Sequence, residues 1–395
     1  MHERALQTRP EYVYPLGGMH VKKMVLAALA AMLALGLIPA ASGGPGPHGI
    51  SSDNVEHVTF VPFEVGTATG ARLVGKYLYV TTWKTFSIYD VSDPADPQLE
   101  SITPFEFKFE NEDVATNGKI LIFSEELPNS ALHVWDVRDK ANPKKLVTAD
   151  GLGQHTMSCV AKCKYLYGSD GYIIDIRKPS KPKLLSRRWG SDGGTSNGHD
   201  VIEVGPGRVL TSSDPIQLLN TKKPAKPKII ARSQPMNEFV HSVQWPNKGK
   251  DDFILATGET WLPGADARCV DQTAGFSTWD ATNYKKTRTF QMVDIFRPTA
   301  GNYTNGSPPI NAPFGCSTHW FQQHPTFDDG GLVAAGFYNH GTRFIDVSNK
   351  GKISEKGWFV PHAGGTSAAY WRNDRIVYAI DYQRGFDVLK YTGKL

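Results

Sequence analysis

Five residues of metal-binding type stand at similar places in this chain, each at the head of a short apolar stretch. They are Glu112, His155, His199, His241 and His319, in the local sequences EDVATN, HTMSCV, HDVIEV, HSVQWP and HWFQQH. Imidazole and carboxylate groups together form the ligand sets of Zn, Cu, Fe and Mn sites. The set therefore predicts a site for a divalent transition metal, if the fold brings these distant residues together.

A sequence repeat supplies the elements that would position them. Each copy has an alternating apolar strand, an Asp or Asn, a turn that often carries proline, and a second strand, as in FSIYDVSDPADPQL and LHVWDVRDKANPKKL. Another apolar run, such as KYLYVTT or KILIFSE, precedes each copy. The repeated polar residues are Asp90, Asp136, Asp175, Asn220, Asp280 and Asp346. Because one polar residue recurs just before a turn, we interpret it as satisfying the turn backbone and not as catalytic.

The period of the repeat indicates the fold. The polar residues are 46, 39, 45, 60 and 66 residues apart, and a unit of about 40 to 45 residues with four short strands is typical of a propeller blade. The sequence predicts an all-β, seven-bladed β-propeller over residues 57–395. A spare N-terminal strand at 57–63 is predicted to complete and close the last blade, which removes an exposed edge. A solenoid would need capping repeats, and we find none in the sequence.

The repeat motif resembles a known family. FSIYDVSDPADP, with FIDVSNKGKIS and VWDVRDKANP as variants, is similar to the LVIVD-repeat family of secreted bacterial β-propeller proteins. The resemblance covers roughly residues 57–395 and implies the propeller fold. It implies no particular activity, because the family has no single established one. The fourth copy (LLNTKKP) and the seventh (FDVLKYTGK) depart from the motif.

In a propeller the inner strands begin around the mouth of the central channel, so Glu112 and the four histidines are expected to converge there. Histidine could instead be a structural feature of the repeat that caps a backbone group. Only four copies carry it, however, and one carries glutamate, whereas the repeated Asp is nearly uniform. Because opposite sides of a ring can be too far apart for one ion, three histidines would ligate and the others would orient contacts or substrate.

Further acidic and basic side chains are expected on the same face, at the ends of the second strands. Most of the acids there, Glu125 and Asp381 among them, are interpreted as solvated turn residues. Glu126, Glu259 and His340 are candidates for acid–base roles, and Glu112 is predicted as a ligand or a base. The site would suit an oxidoreductase or hydrolase of small molecules. The alternative function is a non-enzymatic extracellular binding or scaffold propeller, with contacts through its longest loops.

Two insertions and four cysteines complete the predicted layout. The insertions at 258–275 and 297–317 fall on the face of the channel mouth and are expected to form a lid. Each carries one cysteine, and a bond between Cys269 and Cys316 would tie them together. Cys159 and Cys163 are predicted to bond across a turn on the opposite face. A Cys-x-x-x-Cys pair can also bind metal, but no second pair of suitable spacing supports a closed zinc site.

The N-terminal region has the layout of an export signal. Residues 1–18 are interpreted as a misassigned start upstream of Met19, residues 19–42 as a signal peptide with a 15-residue apolar core, and residues 43–56 as a linker. An uncleaved anchor is the other interpretation of the apolar run. The signal predicts a secreted or cell-surface protein whose cysteines form disulfides.

Composition narrows the class of partner. The formal net charge is +4, spread along the chain, which is too weak to indicate nucleic-acid binding. We expect a small molecule or an extracellular protein as partner, no membrane contact beyond the export signal, and a monomer.

Overall fold

Short antiparallel strands dominate the computed structural model, which describes residues 49–63, 68–107, 111–126, 130–192, 198–236, 239–259, 275–298 and 316–395. All of these belong to one unit, residues 45–395. The predicted misassigned start, the signal peptide and most of the linker lie outside the described residues. The described helices are two single turns, α1 (Pro246–Gly249) and α2 (Tyr284–Thr287). Within the described ranges, no helix has the length and apolar character needed to cross a bilayer.

The chain begins with strands β1 (Ile50–Ser51) and β2 (Val55–Pro62) and then forms three four-stranded antiparallel sheets. The first contains β3 (Ala68–Val74), β4 (Tyr77–Thr82), β5 (Thr85–Asp90) and β6 (Gln98–Pro104). The second contains β7 (Ala115–Thr116), β8 (Ile120–Glu125), β9 (Ala131–Asp136) and β10 (Lys144–Asp150). The third contains β11 (Met157–Val160), β12 (Tyr165–Gly168), β13 (Ile173–Asp175) and β14 (Lys183–Leu184). In each sheet the strands lie in chain order.

An eight-stranded sheet follows, made of two antiparallel groups of four. The first group contains β15 (Val201–Gly205), β16 (Arg208–Thr211), β17 (Gln217–Asn220) and β18 (Lys228–Ser233). The second contains β19 (Phe239–Gln244), β20 (Phe253–Glu259), β21 (Phe276–Asp280) and β22 (Thr289–Phe296). β18 and β22, the fourth strands of the two groups, lie side by side in the middle of this sheet. They join the groups through a short parallel pairing of Arg232–Ser233 with Thr289–Phe290.

The last two sheets each gain a strand from the start of the chain. One contains β23 (Phe321–Gln323), β24 (Leu332–Gly336), β25 (Thr342–Asn349) and β26 (Lys352–Val360), and β1 pairs with β26. The other contains β27 (Thr366–Trp371), β28 (Ile376–Asp381) and β29 (Gly385–Tyr391), and β2 pairs antiparallel with β29.

The pairing of β2 with β29 confirms the predicted closing strand, which begins two residues earlier than expected. β1 and the first residues of β2 fall within the predicted linker at 43–56 and are paired strands. β1 could not be predicted, since two residues cannot show the alternation that marks a strand.

Apolar side chains fill the spaces between successive sheets. The second strand of a sheet, such as β4 or β8, is buried along almost its whole length, because sheets cover both of its faces. The fourth strand, such as β6 or β10, alternates between half-buried and exposed residues. One buried cluster joins the first sheet to the last, where Leu78 and Val80 lie with Ile380 and Phe386. The sheets therefore form a closed ring.

The repeated Asp and Asn residues have the structural role predicted for them. In each case a side-chain oxygen accepts a hydrogen bond from the backbone N–H two residues later, at 2.7–3.1 Å. These bonds hold the turn between the third and fourth strands. The acceptors are Asp90, Asp136, Asp175, Asn220, Asp280 and Asp346.

Ring closure through the N-terminal strands gives a first prediction. A variant that lacks residues 1–63 leaves the outer edges of β26 and β29 unpaired. We expect its thermal midpoint to fall by at least about 5 °C, with aggregation through those edges. The matched control lacks only residues 1–48 and keeps both strands. Equal midpoints for the two variants by circular dichroism would contradict the closing role.

Candidate metal centre

The five predicted ligand residues lie at the beginning of the innermost strand of five consecutive four-strand groups. Glu112, His155, His199 and His319 precede β7, β11, β15 and β23 by two or three residues, and His241 lies within β19. Backbone hydrogen bonds extend the sheets to these positions, as at His199 N–H to Ser212 O (2.7 Å) and His319 N–H to Gly336 O (3.0 Å). The side chains are therefore carried by ordered backbone.

The side chains meet around the Glu112 carboxylate, as the sequence predicts. One carboxylate oxygen, Oε2, lies 2.5 Å from His199 Nε2 and 3.0 Å from His155 Nε2. The other, Oε1, lies 3.3 Å from His241 Nε2 and also contacts His319 Nε2. The Glu112 side chain is 4% exposed and those of His241 and His319 are fully buried, whereas the His155 side chain is 27% exposed. Solvent therefore reaches the cluster at His155.

Hydrogen bonds fix which ring nitrogen carries the proton. His199 Nδ1 donates to the backbone carbonyl of His241 (2.9 Å), and His319 Nδ1 donates to that of Ser367 (2.8 Å). His155 Nδ1 donates to the Glu126 carboxylate (3.1 Å). Because these acceptors cannot donate, Nδ1 holds a proton in all three rings, and the neutral form of each ring has its lone pair on Nε2.

The Nε2 atoms and the carboxylate together form a donor set that could hold a cation. His155 Nε2 and His199 Nε2 are 3.0 Å apart and both face Glu112 Oε2. Lone pairs and a carboxylate at such distances repel one another unless a proton or a metal ion lies between them. Two nitrogens bound to one tetrahedral Zn²⁺ at 2.0–2.1 Å would be about 3.3 Å apart. The donor types, their spacing and the Nδ1 partners all fit a first-row transition metal.

The predicted ligands divide into two groups. Glu112, His155 and His199 offer ligand atoms within 4.8 Å of one another, and so do Glu112, His241 and His319. In the part of the chain that the structure describes, no such group holds all four histidines. The prediction that three histidines ligate one ion stays a prediction, and Glu112 lies between two histidine pairs.

Electrostatics favour an ionised carboxylate at the centre. Burial by itself would raise the pKa of Glu112, but the positive charge of His199, His319 and His241 when protonated holds it well below its ordinary value. Burial lowers the pKa of His241 well below the usual range, and repulsion from its neighbours adds to this effect. Burial also opposes charge on His319, but attraction to Glu112 prevails and raises its pKa. The carboxylate thus remains an anion that attracts a cation.

Two aromatic residues that sequence reasoning missed, Tyr382 and Trp320, belong to the centre. The Tyr382 hydroxyl donates to Glu112 Oε1 at 3.2 Å. Trp320 packs edge-on against His241, with ring centroids 4.9 Å apart. Trp320 directly follows a predicted ligand, so its position could have been noticed. Tyr382 follows the second strand of the last sheet, where the repeat motif gives no signal of side-chain direction.

The acid–base candidates have different surroundings. Glu126 contacts His155, and this hydrogen bond lowers the pKa of its carboxyl against the opposing effect of burial. Glu259 accepts a hydrogen bond from the Tyr338 hydroxyl and forms a third potential ligand group with His199 and His241. His340 is buried and belongs to none of the three groups found among the described residues. The catalytic roles of Glu259 and His340 stay predictions.

Two acids expected to be solvated turn residues are instead buried. Glu125 is 5% exposed and pairs with His133 Nε2 at 2.9 Å, and Asp381 is 1% exposed beside Arg384. Both stand at the ends of second strands. His133 lies on the next strand of the same sheet and Arg384 lies in the turn that follows Asp381, and the repeat pattern does not reveal either pairing.

A buried polar network anchors the strands that carry Glu112 and His199. The next residues along the chain, Asp113 and Asp200, both accept from Ser158 Oγ, at 3.2 and 2.6 Å. Arg72, from the first sheet, pairs with Asp113. Burial raises the pKa of Asp200 to about 7, and repulsion from Asp113 contributes. The network links four inner strands, so it positions the ligands without touching them.

The disulfide predictions have separate outcomes. Cys159 and Cys163 are bonded, as predicted, across the turn between β11 and β12. Cys316 is disulfide-bonded, while its predicted partner, Cys269, lies outside the described residues. Most of both predicted lid insertions, residues 260–274 and 299–315, also lie outside the described residues.

Comparison with known proteins supports the fold and the repeat. The LVIVD repeat family matches residues 65–103, which confirms the family resemblance. No curated protein matches the chain. Among solved structures, the chain is similar to the crystal structure of RRP9 WD40 repeats, with a TM-score of 0.56 and 7% identity over 87% of this chain and 98% of the other. At that identity the likeness shows the β-propeller fold alone.

The contact between Glu126 and His155 yields a prediction about metal affinity. A carboxylate on the far nitrogen of a ligating histidine orients the ring and makes it more basic, and its loss typically costs 10–100-fold in affinity. We expect Glu126→Gln to weaken zinc binding by about tenfold or more, measured by competition with a chelator. Glu100→Gln, at an exposed position on β6, is the matched control. Unchanged affinity in Glu126→Gln would rule out the orienting role.

Proposed function

We propose that this LVIVD-repeat chain is an exported, seven-bladed, metal-dependent β-propeller that acts on a small molecule. The observation that carries the proposal is the arrangement of four Nε2 atoms around Glu112, with Nδ1 of three histidines held by hydrogen bonds. A buried cluster of this kind has no structural purpose that a hydrophobic core would not serve better. It has a clear purpose as a ligand set.

The blade count rests on the sheet pairings. Dividing the eight-stranded sheet at its parallel pairing gives two four-stranded groups. Together with three sheets before it and two after it, this makes seven groups around the ring. The closing strand β2 supplies the fourth strand of the last group.

The ligand types suggest which ions the centre would take. Two imidazoles and a carboxylate suit Zn²⁺, Cu²⁺, Fe²⁺ or Mn²⁺, and three protein ligands leave coordination positions for water or substrate. Bound Zn²⁺ would supply Lewis-acid and water-activating chemistry, and Cu or Fe would supply redox chemistry. The function class is therefore a hydrolase or an oxidoreductase.

The surroundings of His155 are the favoured side for substrate. His155 and Glu126 side chains are 27% and 38% exposed. Phe239 is 51% exposed, and its ring lies edge-on to His199 with centroids 5.4 Å apart. Glu126 would exchange protons between this open side and solvent, and Phe239 would contact an apolar part of the substrate. Glu112 is proposed as a ligand and not as a base, because imidazole nitrogens face both of its oxygens.

Location and partners are proposed from the sequence. The signal at 19–42 favours secretion or a cell-surface position, and the Cys159–Cys163 bond fits an oxidising compartment. A small-molecule substrate and a monomer are proposed. The scaffold alternative depends on contacts through the lid insertions, most of which lie outside the described residues, so it stays a prediction.

Elemental analysis tests the proposed function. Mature protein, residues 43–395, purified from an exported source without a chelator or His tag, is expected to carry near-stoichiometric Cu, Zn, Fe or Mn. His199→Ala and His241→Ala should each lower that metal content substantially. His324→Ala is the matched control, because His324 is equally buried but bonds Asp374 O and Thr326 away from the centre. Circular dichroism would verify that each variant is folded.

The decisive contrary result is a metal-free wild-type protein that stays metal-free after reconstitution. Metal content unchanged by His199→Ala and His241→Ala would equally reject the proposed ligands.

A further inference from the structure

We infer that the centre holds two metal ions bridged by the Glu112 carboxylate. The inference rests on the proposed metal-dependent function and specifies the number and arrangement of the ions. Its basis is that each of the two carboxylate oxygens faces a different pair of histidines. His155 and His199 face Oε2, whereas His241 and His319 face Oε1.

Each half of the cluster is a complete ligand set of a familiar kind. Two imidazole nitrogens and one carboxylate oxygen form a three-ligand site that leaves positions open for water or substrate. The half that contains His155 and His199 satisfies this description with Oε2, and the half that contains His241 and His319 does so with Oε1. The Tyr382 hydroxyl adds a hydrogen bond to Oε1 at 3.2 Å.

A single ion would leave half of the ligand atoms in the cluster without a metal. An ion held by one histidine pair leaves the lone pairs of the other pair facing an anion inside a buried site. The two ligand groups that contain Glu112 hold two histidines each, and the third group among the described residues joins His199 and His241 to Glu259. Since none of these groups holds all four rings, one ion cannot bind them all without a rearrangement of ordered inner strands. A bridging carboxylate, by contrast, suits two ions about 3.5–4 Å apart.

Nearby acids offset part of the added charge. Two divalent ions and one carboxylate leave a net charge of +3 at the bridge. Glu126 lies against His155 on one side. Glu259 offers an oxygen within 4.8 Å of ligand atoms from His199 and His241, which belong to different halves. Two further carboxylates thus stand where a two-ion centre would need them.

The two halves differ in their access to solvent. The His155 side chain is 27% exposed, whereas His241 and His319 are fully buried. The ion between His155 and His199 is therefore the one that would exchange ligands and meet substrate. The ion between His241 and His319 would hold the bridge and supply charge to the reacting ion.

The test counts zinc in the full mature chain, made metal-free, reconstituted with Zn²⁺ and freed of loosely bound ions. We expect two zinc ions per chain in the wild type by native mass spectrometry. The paired variants His155→Gln/His199→Gln and His241→Gln/His319→Gln should each retain one. Anomalous diffraction from the zinc-loaded wild type, which needs no variant to fold, should show two peaks about 3.5–4 Å apart on either side of Glu112.

One zinc per chain in the wild type would overturn the two-ion inference while leaving the metal-dependent function standing. No zinc would overturn both. Two zinc ions with anomalous peaks that do not flank Glu112, such as one at a surface histidine, would overturn the bridge.

Discussion

A buried carboxylate surrounded by imidazole lone pairs is the constraint on which the rest of this structure depends. Three of the four rings have Nδ1 committed as a donor, two of them to backbone carbonyls. Those bonds leave Nε2 to point at Glu112, where a proton or a metal ion between the two atoms relieves the repulsion. The site is therefore fixed by main-chain geometry, and its ligands cannot turn away without losing a buried hydrogen bond.

The propeller provides that geometry from residues that are far apart in sequence. Glu112 and His319 are brought together because every inner strand begins at the same end of the ring. The arrangement holds only if the ring is closed. Closure comes from β2 paired with β29 and from the apolar cluster between the first and last sheets. The network of Arg72, Asp113, Ser158 and Asp200 then links neighbouring inner strands just beside the ligands.

Much of the fold and of the site could be predicted from the sequence. The repeat identifies the propeller fold, and it shows which residue of each copy begins the inner strand. The turn acceptors, the closing strand, the Cys159–Cys163 bond and the convergence of Glu112 with four histidines all follow from one alignment of the copies. The division into two histidine pairs could not be predicted, since it depends on which carboxylate oxygen each ring faces. Tyr382 was missed for a related reason: it contacts the centre from a position after the second strand, where side-chain direction is set by the local turn. Buried Glu125 and Asp381 show the same limit.

The most direct test of the account measures the ring protons themselves. In zinc-loaded protein with ¹⁵N-labelled histidine, long-range proton–nitrogen NMR reports which nitrogen of each ring is protonated. The account predicts protonated Nδ1 and metal-bound, unprotonated Nε2 for His199 and His319. Protonated Nε2 in both rings at saturating zinc would show that protons hold the cluster together, and it would contradict the metal centre.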